Sequence, residues 1–155
     1  GTLGYNGYFG TLFKITPSGE LSILYDFDGT TGQQPQATLM QATNGLIYGD
    51  ANHGGVALYC ECGTFFSFDA GLAPFIRLIS TSGKAGKQVE ILGQNFTGAV
   101  SVSFNATPAT FRVQSDSFLT ATVPTGATTG YVIVTTPKGS LTSSRPFRVV
   151  TTGVN

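Results

Sequence analysis

Val89-Glu90-Ile91-Leu92-Gly93-Gln94-Asn95-Phe96 places apolar Val89 and Ile91 on either side of a charged Glu90 and then runs into a Gly-Gln-Asn turn. Alternation at period two describes a strand with one face buried and the other in water. The same period continues in Val100, Val102 and Phe104, in Leu119, Ala121 and Val123, and in Phe147 and Val149. Turn residues at Ser82-Gly83, Gln94-Asn95, Thr107-Pro108, Pro124-Thr125-Gly126 and Pro137-Lys138-Gly139 interrupt these runs at short intervals, as in a sandwich of many brief strands. No Trp is present and no Cys lies beyond Cys62, so this half has no inter-sheet disulfide and depends on apolar packing.

The wider composition gives the same fold class. Phe, Tyr, Val, Ile and Thr are plentiful, and no stretch shows apolar residues at helical spacing, so the chain reads as all-β. Charged residues make up 10% of the chain, against about 25% in ordinary globular proteins. Their distribution is uneven. Up to Ala73 the only base is Lys14, against Glu20, Asp26, Asp28, Asp50, Glu61 and Asp69. From Pro74 onward Arg77, Lys84, Lys87, Arg112, Lys138, Arg145 and Arg148 face only Glu90 and Asp116. This change of sign predicts a domain boundary near Leu72-Ala73-Pro74. The bases of the second half are scattered singly, without the clustered Lys and Arg that neutralise phosphates, which argues against nucleic acid as a partner. No apolar segment approaches the roughly 20 residues of a membrane-spanning helix.

The first half is punctuated as a series of hairpins. Thr11-Leu-Phe-Lys-Ile-Thr16 and Leu21-Ser-Ile-Leu-Tyr-Asp-Phe27 flank Pro17-Ser18-Gly19; Ala37-Thr-Leu-Met-Gln-Ala42 and Leu46-Ile-Tyr-Gly49 flank Thr43-Asn44-Gly45. Gly10-Thr11-Leu12-Phe13 then returns as Gly63-Thr64-Phe65-Phe66. A fixed-period unit usually belongs to an array, because one supersecondary unit cannot bury its apolar face alone. The expected organisation is an antiparallel four-stranded blade over 10–52 and the start of a second over 63–69. Residues 1–73 together are expected to form an incomplete propeller-like segment of a longer chain.

Both halves carry a family resemblance. Gly10-Thr-Leu-Phe-Lys-Ile-Thr-Pro-Ser-Gly19, Leu24-Tyr-Asp-Phe-Asp-Gly29, Gln41-Ala-Thr-Asn-Gly45 and Ile47-Tyr-Gly49 resemble the GloVer-type tandem repeat of exported bacterial surface proteins. That resemblance implies a β-propeller-like array and no catalytic residues. Pro74-Phe-Ile, Ile79-Ser-Thr-Ser-Gly83, Val89 to Phe96, Leu119-Thr-Ala-Thr-Val-Pro124, Gly130-Tyr-Val-Ile-Val-Thr-Thr136 and Pro146-Phe-Arg-Val149 resemble an IPT/TIG domain from end to end. This second resemblance implies an immunoglobulin-like β-sandwich over 74–151.

Candidate chemistry is sparse. Cys60 and Cys62 are too few for a tetrahedral zinc site by themselves, although His53 and Glu61 lie near enough in sequence to complete a set. The repeat resemblance implies a local disulfide between the two cysteines, with free thiols as the alternative because a bridge across one residue closes a small strained ring. Asp26-Phe27-Asp28-Gly29 looks like the start of a calcium loop but lacks the third acidic position and the bidentate Glu. His53, the only imidazole, is expected to be an exposed loop residue rather than a general base. Tyr5, Tyr8, Tyr59 and Tyr131 could offer flat platforms to a sugar.

The resulting expectation is a non-enzymatic, secreted or cell-surface scaffold or interaction module of a larger bacterial protein, without cofactors. Its partners would be neighbouring domains of the same longer chain, a surface protein or a polysaccharide. The alternative is a polysaccharide-binding accessory module of a carbohydrate-active enzyme.

Overall fold

The structure, a computed structural model, describes residues 9–36, 38–55 and 62–151. Among the described residues every regular element is a strand. Contacts divide the chain into two compact units, Gly1–Leu72 and Ala73–Asn155.

Unit 1 holds β1 (Thr11–Ile15), β2 (Leu21–Asp26), β3 (Met40–Gln41), β4 (Ile47–Ala51) and β5 (Thr64–Phe68). β1 and β2 form an antiparallel hairpin in which Phe13 faces Ile23 and Ile15 faces Leu21. The connecting turn is closed by Gly19 N–H donating to the Thr16 carbonyl at 2.9 Å. β3, β4 and β5 form a separate antiparallel sheet in that order. Its first turn is the expected Asn-Gly turn, with Leu46 N–H donating to Asn44 Oδ1 at 3.0 Å.

The grouping of strands differs from the single four-stranded blade expected over 10–52. The two hairpins form, but they lie in different sheets. β5, expected to open the next blade, instead pairs with β4, placing Ala51 opposite Thr64 and Ile47 opposite Phe68. The loop after β2 explains the difference. It does not lead into an adjacent strand of the same sheet, but bridges to the end of β4 through Gln33 N–H donating to the His53 carbonyl at 2.8 Å.

Unit 2 is a two-layer sandwich. It contains β6 (Arg77–Leu78), β7 (Ser82–Gly83), β8 (Gln88–Leu92), β9 (Ser101–Phe104), β10 (Thr107–Ala109), β11 (Phe111–Ser115), β12 (Phe118–Thr122), β13 (Val132–Thr136), β14 (Gly139–Thr142) and β15 (Arg148–Val149). One sheet runs β10-β9-β13-β14 and the other β11-β12-β8-β6, while β15 pairs with β7 in parallel. The inward positions of both sheets meet in one core. Val89, Ile91, Leu119, Ala121 and Val123 come from one side, Val102, Phe104, Val132 and Val134 from the other. Phe96 and Phe147 complete it, and the Phe104 and Phe147 rings meet edge to face at 5.1 Å. The alternation of the sequence fails at Val100, which is 69% exposed. It precedes β9 and comes directly after the turn closed by Ala99 N–H on the Phe96 carbonyl, so the period of the following strand does not reach back to it.

Candidate functional site

Unit 1 carries the more informative surface. Phe66 and Phe68 of β5 face Leu12, Tyr25 and Phe27 across a cavity of about 250 Å³, and the Phe27 and Phe66 rings meet at 5.2 Å, inclined by 61°. Leu12 is only 7% exposed because this neighbouring sheet covers it. β1 and β5 are each preceded by a glycine with positive φ, Gly10 at 102° and Gly63 at 79°. A Cβ at Gly10 would lie 2.5 Å from Pro35 Cδ, and one at Gly63 would lie 2.5 Å from the Ala51 carbonyl oxygen. The repeated glycine is therefore demanded twice over, by backbone conformation and by crowding.

Two faces of unit 1 leave apolar side chains in water. On the hairpin, Ile15, Leu21 and Ile23 are each more than half exposed beside a half-buried Phe13. On the second sheet, Met40, Tyr48 and Phe65 share the face opposite to Phe66. There Phe65 is 75% exposed and stacks on Tyr48 with ring centroids 5.7 Å apart and planes 24° apart. Asn44 Nδ2 donates to Tyr48 Oη at 3.0 Å and fixes the polar edge of that platform.

The paired carboxylates have separate tasks. Asp26 Oδ1 accepts from Thr11 Oγ1 at 2.8 Å, tying the end of β2 to the start of β1. Asp28 Oδ1 accepts four hydrogen bonds: from Thr31 N and Oγ1 at 2.8 Å each, from Thr30 Oγ1 at 2.8 Å and from Thr30 N at 3.0 Å. These donors, the Thr31 amide foremost, stabilise the anion and lower the Asp28 pKa to about 2. The geometry is that of a capped turn. Among the described residues no group of three or more His, Cys, Asp or Glu side chains is placed to hold a metal ion.

His53 departs from the expected exposed loop residue. It is half-buried, its backbone bridges to Gln33, and among the described residues its buried Nδ1 has no hydrogen-bond partner. Cys62 is disulfide-bonded. Cys60 and Glu61 lie outside the described residues, as do Tyr5, Tyr8 and Tyr59. Of the four tyrosine candidates, Tyr131 alone is described, and its side chain is 51% exposed while its carbonyl accepts from Asn105 N–H at 2.9 Å.

A polar cluster that the sequence did not suggest lies in unit 2. Asp116 Oδ2 accepts from Asn95 N–H and its Oδ1 from Thr97 N–H, each at 3.2 Å. Lys138 Nζ donates to Asn95 Oδ1 at 2.7 Å. The Thr97 hydroxyl, the Thr97 amide and the Lys138 charge hold the Asp116 carboxyl below the usual carboxylate range. Asn95 sits at φ 58°, which an Asn tolerates better than most residues, and the cluster pins the loop that delivers Phe96 to the core. Only the Gln94-Asn95 turn signal pointed to this loop; the distance in sequence to Asp116 hid its partner.

In comparison with protein families, residues 74–149 match the IPT/TIG domain. No curated protein matches the chain. The matched span coincides with the sandwich of unit 2, from the approach to β6 through β15.

Proposed function

We propose that the chain is a non-enzymatic scaffold and interaction module of a larger exported protein, with an IPT/TIG sandwich following the end of a repeat array. The observation that carries this reading is the family match over a unit whose core is continuous across both sheets. IPT/TIG domains are typically interaction or scaffold modules without catalytic activity. Extracellular placement is supported by the low charge and by the resemblance of residues 10–49 to GloVer-type repeats of surface proteins. The blade-like character of unit 1 is supported by the like sequences of β1 and β5, each entered from a glycine with positive φ. A disulfide between Cys60 and Cys62 belongs to the same reading, since the chain has no other cysteine.

Protease treatment of intact producing cells, followed by detection of this chain, tests the placement. Digestion without cell lysis is the expected result, and full protection until lysis would refute it.

A second reading, polysaccharide recognition, is favoured by the exposed Tyr131 ring, since a flat aromatic surface in water suits stacking on a sugar. Under that reading a glycan array gives reproducible binding that Tyr131→Ala abolishes. Binding unchanged by Tyr131→Ala removes this site from consideration.

A further inference from the structure

We propose that the aromatic cavity between β2 and β5 of unit 1 binds a small quaternary ammonium cation of the size of choline. Its wall comes from two short runs of alternating aromatics. Tyr25 and Phe27 stand two residues apart at the end of β2, Phe66 and Phe68 two apart on β5, so the period of the strand turns each pair to one side. The two pairs meet, with Leu12 and Thr31, around a cavity of about 250 Å³. Their rings are not stacked flat. Phe27 meets Tyr25 at 82° and Phe66 at 61°, each with centroids 5.2 Å apart, and planes set at such angles bound a space from different directions. Phe66 is held from behind as well: it pairs across the sheet with Gly49, where a Cβ would lie 2.7 Å from its Cζ.

Such a wall suits a bulky cation that has no hydrogen bonds to give up. The faces of aromatic rings attract an ammonium group, more strongly as water is excluded, and methyl groups on the nitrogen fill apolar volume. A bare ammonium would forfeit bonds to water that walls made largely of carbon do not replace. The charge of the unit points the same way. Lys14 is the only Lys or Arg of Gly1–Leu72, against Glu20, Asp26, Asp28, Asp50, Glu61 and Asp69. Thr31 brings that charge up to the wall, since its amide and hydroxyl both donate to Asp28 Oδ1 at 2.8 Å. Among the described residues that line the cavity none is positively charged. A cation gains from this field and a neutral ligand of the same shape does not.

Choline and dimethylbutanol, its uncharged carbon isostere, therefore make the test. Each is titrated into the intact chain and followed by the NMR shifts of Phe27, Phe66 and Phe68. Choline should bind at least about tenfold more tightly than the alcohol, by a margin that narrows as salt is raised. Phe66→Leu keeps the wall apolar but removes a ring, and should weaken choline by about tenfold while changing the alcohol little. If that variant loses its β-sheet circular dichroism, Tyr25→Leu serves in its place and is read the same way. Competition by phosphatidylcholine vesicles tells the source of the cation: displaced choline indicates a lipid headgroup and undisturbed choline the free molecule, and both support the site.

No shift on adding millimolar choline overturns the proposal. So does equal binding of choline and the alcohol, which would mark a merely apolar pocket, and so does full choline affinity in a folded variant that lacks one of the rings.

Discussion

Gly93→Ala measures how tightly the unit 2 core is closed. Gly93 follows β8, is buried, and has no positive φ, so the backbone accepts an alanine there. The added Cβ would lie 2.5 Å from Phe96 Cζ, 2.9 Å from Phe96 Cε1 and 3.0 Å from Ile76 Cγ2. Phe96 and Ile76 are both fully buried, so neither can swing into solvent to make room. Overpacking of this kind costs about 1–3 kcal/mol. Against it stands a gain of about 0.4–1 kcal/mol, because alanine restricts the unfolded chain. The expected net loss is roughly 1–2 kcal/mol, and each kcal/mol lowers the Tm of a domain this size by roughly 4–8 °C. Native-state hydrogen exchange read in β12 and β13 is the suitable assay, since it reports unit 2 separately from unit 1. Shortening the ring by Phe96→Leu should relieve the clash. A double-mutant cycle should then show the two changes together costing less than their sum, by about 0.5–3 kcal/mol. Strict additivity, or a Gly93→Ala chain as stable as the parent, would refute the reasoning.

Residues 74–151 produced alone should keep undiminished exchange protection, because their core is continuous across both sheets; loss of protection in the isolated piece would count against this. Asp28, held at about 2 against an ordinary 3.8, gives its loop a stabilising contribution that is complete above about pH 4 and is lost as pH falls through about 2. Carboxyl carbon shifts should titrate at that low midpoint, together with the Thr30 and Thr31 amides, and Asp28→Asn should remove the response. Asp116→Ala should speed amide exchange at Asn95 and Thr97, its two backbone donors, with little change in β13. Unreduced protein treated with an alkylating reagent should gain no adduct by mass spectrometry; two adducts would reject the Cys60–Cys62 bridge.

The sandwich was largely legible because its strands obey a local rule. Val89, Ile91, Val102, Phe104, Leu119, Ala121 and Val123 alternate with less buried neighbours or with loops, and all are buried. Where a partner distant in sequence decides the outcome, the local rule falls short. Asp116 carries no local sign that it will cap Asn95 and Thr97. His53 looks like a loop histidine until the chain around Gln33 is brought beside it. Turn residues mark the hairpins of unit 1, but which hairpins share a sheet depends on the path of the loop after Phe27. The pairing of Tyr48 with Phe65 has no local sequence sign, because their stacking is diagonal between β4 and β5, a neighbourhood set by the register.

The parallel contacts in unit 2 bear on how the domain would respond to tension. Ile76 N–H donates to the Thr142 carbonyl and Ser144 N–H to the Ile76 carbonyl, both at 3.1 Å. Arg148 N–H donates to the Thr81 carbonyl at 2.8 Å and Val150 N–H to the Gly83 carbonyl at 2.9 Å. These bonds join the first segment of the unit to its last, and the two segments run in the same direction. Pulling the ends apart therefore drags the segments past each other along their length, loading the bonds in shear together rather than peeling them one by one. A module threaded into a longer chain through these ends would resist stretching at its terminal seams before its core was strained.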